Sequence, residues 1–178
     1  MKFFHLSDLH IGLRLFNRDL KEDQEYILKQ IADLAQKERP DAVVIAGDIY
    51  DRAVPSAEAV EVFDRFLSDL TKRLPETVIM MISGNHDSGP RLNCFRSVLA
   101  RQNVYMIGMP PQTKEESIEK VTMEDAWGKV NFYLLPFVRP SMVRQVVQTS
   151  QEEESLSYDE TVRRLLAREV IDEGERNV

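Results

Sequence analysis

The sequence predicts an α/β fold in which helices flank a mixed sheet. Short runs of β-branched residues alternate with amphipathic helical patterns in the first part of the chain, which is typical of parallel strands joined by crossover helices. After Pro110 and Pro111, two strand-like runs flank Trp127 and Gly128, which predicts a β-hairpin. The hairpin is expected to change the sheet from parallel to mixed.

Strands and helices alternate before the hairpin. In chain order they are a buried strand at 2–6, a helix at 19–37, a strand at 42–46, a helix at 56–70, a strand at 77–82, a helix at 90–101 and a strand at 104–107. The strand at 42–46 is apolar throughout, as expected for a strand covered on both faces. Asp19 and Glu22 are spaced as a capping box for the first helix.

The first two helices each carry an apolar stripe that we interpret as core, with a dimer interface as the alternative for the first. The stripe of the first helix is Tyr26, Ile27, Ile31, Leu34 and Ala35, and that of the second is Val60, Phe63, Leu67 and Leu70.

The remaining chain predicts hairpin strands at 118–124 and 129–135, a short helix at 139–147 and an acidic, solvated loop at 148–154. Ser157 and Glu160 form a capping-box pattern that opens a last helix ending near 172. Because the sequence contains no internal repeat and no domain linker, we expect one domain over 1–178.

The composition is that of a folded domain, with 43% hydrophobic and 30% charged residues. No apolar run of about 18 residues predicts a membrane span, and His5 and Asp8 interrupt the apolar start that a signal peptide would need. Cys94 is the single cysteine, so no disulfide framework or thiolate metal site is expected. These features predict a cytoplasmic protein.

The net charge of −7 and the pI of about 5.1 argue against a surface that binds nucleic acid by bulk electrostatics. These values do not exclude a nuclease, because clustered carboxylates that bind divalent metal also make the net charge negative.

Polar clusters follow three of the predicted strands. They are Ser7-Asp8-Leu9-His10, Gly47-Asp48-Ile49-Tyr50-Asp51-Arg52 and Gly84-Asn85-His86-Asp87. Because open α/β sheets bind ligands outside the carboxyl ends of their strands, we expect the clusters to converge. Taken singly, each cluster has an ordinary interpretation as a turn or a cap. Together and in this order, they predict a functional site.

The residue types suit divalent metals. Carboxylate, amide oxygen and imidazole nitrogen are ligands for Mn, Fe, Zn or Mg. Two such ions about 4 Å apart clamp a phosphodiester in known two-metal sites. Asp48 directly follows the central predicted strand, and we therefore expect it to bridge the ions.

These three clusters resemble the opening motifs of calcineurin-like metallophosphoesterases. The segments KFFHLSDLHIG, IAGDIYDRAVPSAEAV and ISGNHDSGPRL are most similar to the branch of bacterial SbcD-type DNA nuclease subunits. The resemblance extends over about 1–140 and implies an α-β-β-α sandwich, of which this chain would hold the first part.

The resemblance also implies residue roles. Asp8 and His10 would bind one metal, Asp48 would bridge, Asn85 would bind the second metal, and His86 would be the catalytic histidine. The resemblance implies two divalent metal ions as the cofactor. Mn is the ion expected in this protein, with Mg, Fe or Zn as alternatives.

Three further residues are implied to act around these ligands. Asp51 and Asp87 would orient the metal-binding groups. Arg52 would meet a phosphate, with a plain surface ion pair as the equal alternative.

The family completes its site with later histidines, including a Gly-His-x-His motif, whereas this sequence has only His5, His10 and His86. We therefore expect this sequence to be the amino-terminal portion of a longer nuclease subunit. On its own it should bind metal weakly and show little turnover. A true short protein is the alternative.

The implied function is metal-dependent hydrolysis of DNA at double-strand breaks or hairpins. The implied partners are DNA, an SMC-like ATPase of the SbcC type and a second copy of the chain. A phosphatase or small-molecule phosphodiesterase of the same superfamily, and a non-catalytic scaffold, are the alternatives.

Overall fold

The computed structural model of the chain describes residues 1–148 and 156–178. The chain divides into two compact units, Met1–Gly108 and Met109–Val178. The single domain over 1–178 remains a prediction. No helix in the two described ranges has the length and apolar character that crossing a membrane requires.

The first unit is built on a four-stranded parallel sheet of order β1-β4-β5-β6. Its strands are β1 (Phe3–Leu6), β4 (Ala42–Ala46), β5 (Val78–Ile82) and β6 (Val104–Ile107). The alternation of strands and helices therefore predicted the parallel sheet and its flanking helices correctly. Because β1, β4 and β5 are neighbours and run in parallel, the three polar clusters emerge at the same edge of the sheet.

The expectation of a buried first strand is wrong. β1 lies at one side of the sheet, and its residues alternate between exposed and half-buried. The apolar run in the sequence does not distinguish a central strand from an edge strand, because both pair through their backbones.

Two long helices, α1 (Lys21–Glu38) and α2 (Ala57–Arg73), pack against this sheet through its main core. Ser56 caps α2 by accepting a hydrogen bond from the amide of Ala59 at 3.2 Å. The capping box predicted for α1 does not form: Leu20 is the N-cap, and Asp19 accepts from the amide of Lys21 instead.

The buried face of α1 agrees with the predicted stripe at Ala35 but otherwise lies one position further along the helix. Leu28, Ala32 and Ala35 are buried, whereas Tyr26 is 65% and Ile27 is 49% exposed. The two small alanines let the helix approach its neighbours closely. The predicted stripe followed the larger side chains, of which Ile31 packs partly against the core and Leu34 is exposed.

The α2 stripe is closer to the prediction. Phe63 and Leu70 are buried and Leu67 packs partly against the core, but Val60 is 43% exposed. Ala59, Val62 and Phe66 complete the buried face.

The single helix predicted at 90–101 is broken. It consists of α3 (Gly89–Leu92), α4 (Arg96–Leu99) and a 3-10 turn (Ala100–Gln102). Phe95 interrupts it with a left-handed φ of 63°. The side chain of Asn93 accepts a hydrogen bond of 2.7 Å from the amide of Gly108, which fixes the break against the end of β6.

A small hairpin that was not predicted precedes α1. It pairs β2 (Arg14–Leu15) with β3 (Arg18–Asp19) through a two-residue turn at Phe16 and Asn17. Strands of two residues give too short a pattern for detection in the sequence.

The second unit contains the predicted hairpin, with β7 (Glu119–Asp125) and β8 (Gly128–Leu134) in antiparallel register. It forms its own three-stranded sheet rather than extending the parallel one. This sheet is mixed, because β9 (Arg176–Asn177), which was not predicted, pairs with β8 in parallel.

The helices of the second unit are shorter than predicted. The pattern at 139–147 gives a 3-10 turn (Pro140–Met142) followed by α5 (Arg144–Val147). Ser157 caps α6 (Tyr158–Leu166) by accepting from the amide of Glu160, as its capping-box position predicted. The predicted acidic loop at 148–154 lies outside the described residues, except for Gln148.

Candidate metal centre

The loops that follow β1 and β4 are joined through their backbones. Beyond the strand ends, an isolated parallel bridge pairs Ile11 with Tyr50. Three hydrogen bonds join the two loops: Asp8 N to Gly47 O at 3.2 Å, His10 N to Asp48 O at 2.9 Å, and Ile11 N to Ile49 O at 2.9 Å.

The loop after β5 is joined to the loop after β4 by two carboxylates. Asp48 Oδ1 accepts a hydrogen bond of 2.9 Å from the amide of His86. Asp87 accepts from three amides: Ile49 at 3.1 Å, Tyr50 at 2.9 Å and Gly84 at 2.9 Å. Asp87 therefore fixes the position of both loops, and its role in orienting metal ligands remains a prediction.

Glycine is required where these loops meet. A Cβ atom on Gly84 would lie 2.0 Å from Asp48 Oδ1 and 2.3 Å from Asp48 N, and Gly47 adopts a φ of 88°. The missing side chains let the two backbones approach closely enough for Asp48 to reach the amide of His86.

His10, Asp48 and His86 form a cluster in which one potential ligand atom of each lies within 4.8 Å of the others. The two imidazole rings meet edge to face, with their centroids 4.8 Å apart. His10 Nε2 lies 3.9 Å from Asp48 Oδ2 and 3.8 Å from Asp8 Oδ1. Side chains from three separate strand ends therefore converge on one point.

The backbone carries an unusual conformation at this point. Asp8, His10 and Asp48 have φ values of 55°, 42° and 48°, in the left-handed region that non-glycine residues rarely adopt. Such backbone strain concentrates at functional sites, where the surrounding hydrogen bonds hold it in place.

Asp51 lies beside His10 and pairs with Arg52. Asp51 Oδ1 lies 3.8 Å from His10 Nδ1, and Asp51 Oδ2 lies 3.5 Å from Arg52 Nε. The Arg52 side chain is 74% exposed, so it forms an exposed ion pair while facing solvent next to the cluster.

Asp8 and Asn85 are more exposed than the cluster itself. The side chain of Asp8 is 67% exposed, although its carboxylate lies beside His10. Asn85 is exposed between Gly84 and His86, whose amides are both bound by carboxylates. The metal-ligand roles of these residues remain predictions.

The pKa of His86 is raised, first because its Nδ1 bonds to the backbone carbonyl of Asp51 at 2.9 Å. The carboxylates of Asp48, Asp51 and Asp87 raise this pKa further. Since a carbonyl only accepts, Nδ1 carries the proton and Nε2 is left for another partner.

One residue that supports the site was not found in the sequence. Gln24, on α1, donates from Nε2 to the carbonyl of His10 at 2.7 Å and accepts from the amide of Gly12 at 3.0 Å. Its side chain thus holds the segment around His10 in place. Nothing in the local pattern marks a glutamine in the first turns of an amphipathic helix as functional.

The potential ligand atoms of His10, Asp48 and His86 suit a divalent metal ion. Imidazole nitrogen and carboxylate oxygen suit Mn, Fe or Zn, and no thiolate is near. The buried Nδ1 of His10 has no hydrogen-bond partner in the described part of the chain. Buried polar atoms rarely lack a partner, so a site of this composition is suited to an added cation or water.

The family model for calcineurin-like phosphoesterases matches residues 1–149, so the chain belongs to this family. The resemblance drawn from the three sequence motifs is thereby confirmed.

Two relatives are named as the SbcD component of the SbcCD nuclease. The protein from Staphylococcus saprophyticus is 32% identical over 181 residues, which cover 100% of this chain and 45% of that protein. The protein from Staphylococcus epidermidis is 37% identical over 153 residues, which cover 86% of this chain and 38% of that protein. The chain thus spans less than half the length of these relatives.

Proposed function

We propose that residues 1–178 are the amino-terminal portion of a metal-dependent DNA nuclease subunit of the SbcD type. The observation that carries this proposal is the cluster of His10, Asp48 and His86 at the shared carboxyl edge of β1, β4 and β5. The names of the two staphylococcal relatives support a nuclease rather than another phosphoesterase.

In this proposal, Asp8 and His10 would hold one divalent ion, Asn85 would hold a second, and Asp48 would be a ligand of both. Two such ions supply charge neutralisation and an activated nucleophile for phosphodiester hydrolysis. Mn fits best as the implied ion, and Mg, Fe or Zn would suit the same donors. Asp51 and Asp87 keep these side chains in position through the contacts described above.

His86 is proposed to act on the substrate. Its Nδ1 proton is engaged by the carbonyl of Asp51, which leaves Nε2 for a substrate oxygen. The raised pKa of His86 favours the protonated ring, which would stabilise negative charge on the phosphate or donate a proton to the leaving oxygen. Arg52, exposed beside Asp51, would meet a neighbouring phosphate.

The proposed setting is the cytoplasm, with DNA as substrate and an SMC-like ATPase of the SbcC type as partner. The single exposed cysteine, Cys94, is compatible with a reducing compartment. A homodimer is also proposed. Tyr26 and Ile27 on α1 are exposed rather than packed in the core, which supports a helical dimer interface. Sedimentation showing a strict monomer at high concentration would remove the dimer.

The first test measures Mn binding by electron paramagnetic resonance, together with cleavage of linear duplex DNA in Mn. We expect weak binding, because the family's later histidines are absent, and slow cleavage. His10→Ala should abolish the binding, whereas His5→Ala should leave it unchanged, because His5 lies within β1 and away from the cluster.

His86→Ala should abolish cleavage while preserving part of the Mn binding. Binding that is insensitive to His10→Ala would contradict the proposed site. Hydrolysis of small aryl phosphodiesters without any DNA cleavage would favour the alternative of a phosphatase or small-molecule phosphodiesterase. Metal binding without hydrolysis of either substrate would favour a non-catalytic scaffold.

A further inference from the structure

The β2–β3 hairpin presents an aromatic side chain to solvent. Phe16, at its tip, is 92% exposed. The neighbouring Leu15 is 52% exposed. A side chain this apolar gains nothing from water, and no residue in the described ranges covers it.

The hairpin turn holds Phe16 in a costly conformation. Phe16 and Asn17 have φ values of 47° and 63°, which is the pattern of a two-residue type I′ turn. Such turns favour Asn, Asp or Gly at both positions, and a bulky aromatic residue with positive φ is an outlier. The turn therefore keeps the ring at the tip instead of letting it fold back.

Positive charge flanks the ring. Arg14 and Arg18 lie on either side of the turn and both are exposed, while Asp19 pairs in register with Arg14 at the base of the hairpin. This local charge contrasts with the net charge of −7 on the whole chain. An exposed aromatic ring between cations is the combination with which proteins bind single-stranded nucleic acid, through base stacking and phosphate contacts.

The hairpin adjoins the candidate metal centre. Leu13, directly before the hairpin, donates a hydrogen bond of 3.0 Å from its amide to the carbonyl of His10. Arg14 lines a pocket of about 520 Å³ together with Asp51 and Arg52, and the acidic lining residues Asp19, Asp51 and Glu58 match the basic residues Arg14, Lys21 and Arg52 in number. Phe16 lies six positions after His10 in the chain, so the two lie at most about 22 Å apart.

We propose that Phe16 is a stacking platform for an unpaired nucleobase of a DNA strand whose phosphates lie on Arg14 and Arg18. This inference rests on the proposed nuclease function. It gives the nuclease a preference for DNA ends that are unpaired or frayed near the cleavage point. Stacking tolerates any base, because every base has a π-face, so the hairpin would sense unpaired structure rather than sequence.

The test measures by fluorescence anisotropy how tightly the unaltered chain and its variants bind a short fluorescent single-stranded oligonucleotide. The buffer is metal-free, so that no cleavage occurs. We expect Phe16→Ala to weaken binding about tenfold, in line with the loss of one stacked base. Phe16→Trp should restore the affinity, whereas Phe16→Leu should not. Trp127→Ala is the matched control, because Trp127 is 85% exposed in the turn of the β7–β8 hairpin and should have no effect.

A second measurement locates the contact. An oligonucleotide carrying iodouracil at its terminal base should crosslink on irradiation to the peptide that contains Phe16. Unchanged affinity in Phe16→Ala, no restoration by Phe16→Trp, or no binding of the oligonucleotide by the unaltered chain would each overturn the inference. Crosslinking to the Trp127 peptide instead would do the same.

The failure of this inference is distinguishable from failure of the proposed function. If the unaltered chain binds Mn through His10 but Phe16→Ala leaves oligonucleotide binding unchanged, only the stacking platform is wrong. If no Mn binds while Phe16-dependent oligonucleotide binding persists, the metal centre is wrong.

Discussion

The side-chain amide of Gln24 donates a hydrogen bond of 2.7 Å to the backbone carbonyl of His10. The same side chain accepts from Gly12, so a residue of α1 fixes the loop that presents a candidate metal ligand. Groups that orient metal ligands typically contribute tenfold to a hundredfold in affinity.

We therefore expect Gln24→Leu to weaken Mn binding by about tenfold or more, measured by electron paramagnetic resonance. Gln24→Glu should have an intermediate effect, because it can still accept from Gly12 but no longer donates to His10. The control is Gln30→Leu, an exposed position on the same helix. Equal Mn affinity of Gln24→Leu and the unaltered chain would disprove the orienting role.

Gly84→Ala should destabilise the first unit strongly. The added Cβ would collide with Asp48, at 2.0 Å from Oδ1 and 2.3 Å from N. We expect a loss of about 3 kcal/mol in the free energy of unfolding, measured by urea denaturation. Gly128→Ala is the comparison, because its φ of 99° is unfavourable but its added Cβ would meet nothing within 4 Å. It should cost only about 1 kcal/mol, and a similar loss in both variants would argue against the close contact.

Asp87→Ala should also destabilise the chain, because it removes the acceptor for three backbone amides. An unsatisfied amide costs about 1–3 kcal/mol when it is buried, and water will reach part of this loop, so we expect a total of about 3 kcal/mol. Thermal unfolding measures this loss. Asp23→Ala, at an exposed position on α1, should change stability by no more than about 0.5 kcal/mol. Equal effects would show that Asp87 does not hold the loops.

Asp125 in the second unit should titrate unusually low. Its carboxylate pairs with Arg176 at 2.5 Å, and this contact holds the pKa of Asp125 well below its usual range. Because the folded-state pKa is lowered, the resulting stabilisation is present above the ordinary carboxyl pKa of about 3.9 and is lost as the pH falls through the lowered value.

Arg176→Gln should therefore raise the pKa of Asp125 toward its ordinary value, as followed by carbon-detected NMR of the carboxyl group. Arg163→Gln is the matched control, because Arg163 pairs with Asp159 on α6 and does not contact Asp125. A pKa of Asp125 that stays low in Arg176→Gln would assign the shift to other groups.

The position of the candidate site was predictable from the sequence for a simple reason. The loop residues Asp8, Asp48 and His86 each follow a strand, and parallel neighbouring strands bring their ends to one edge. The apolar composition of 42–46 and 104–107 was enough to give the exact bounds of β4 and β6.

Other features depend on tertiary contacts that no local pattern encodes. On α1, the predicted stripe through Ile27 and Leu34 and the buried face through Leu28 and Ala32 both have helical period, and only packing decides which is buried. Likewise, the break at Phe95 depends on the bond between Asn93 and the distant Gly108.

The left-handed backbone of Asp8, His10 and Asp48 has a consequence for protein engineering. Glycine adopts this conformation freely, so Asp8→Gly is expected to make the metal-free chain more stable by about 1 kcal/mol. A screen that selects only for thermal resistance would therefore favour variants that have lost a side chain proposed to bind metal. In this chain, stability and activity are expected to be competing objectives at the same three positions.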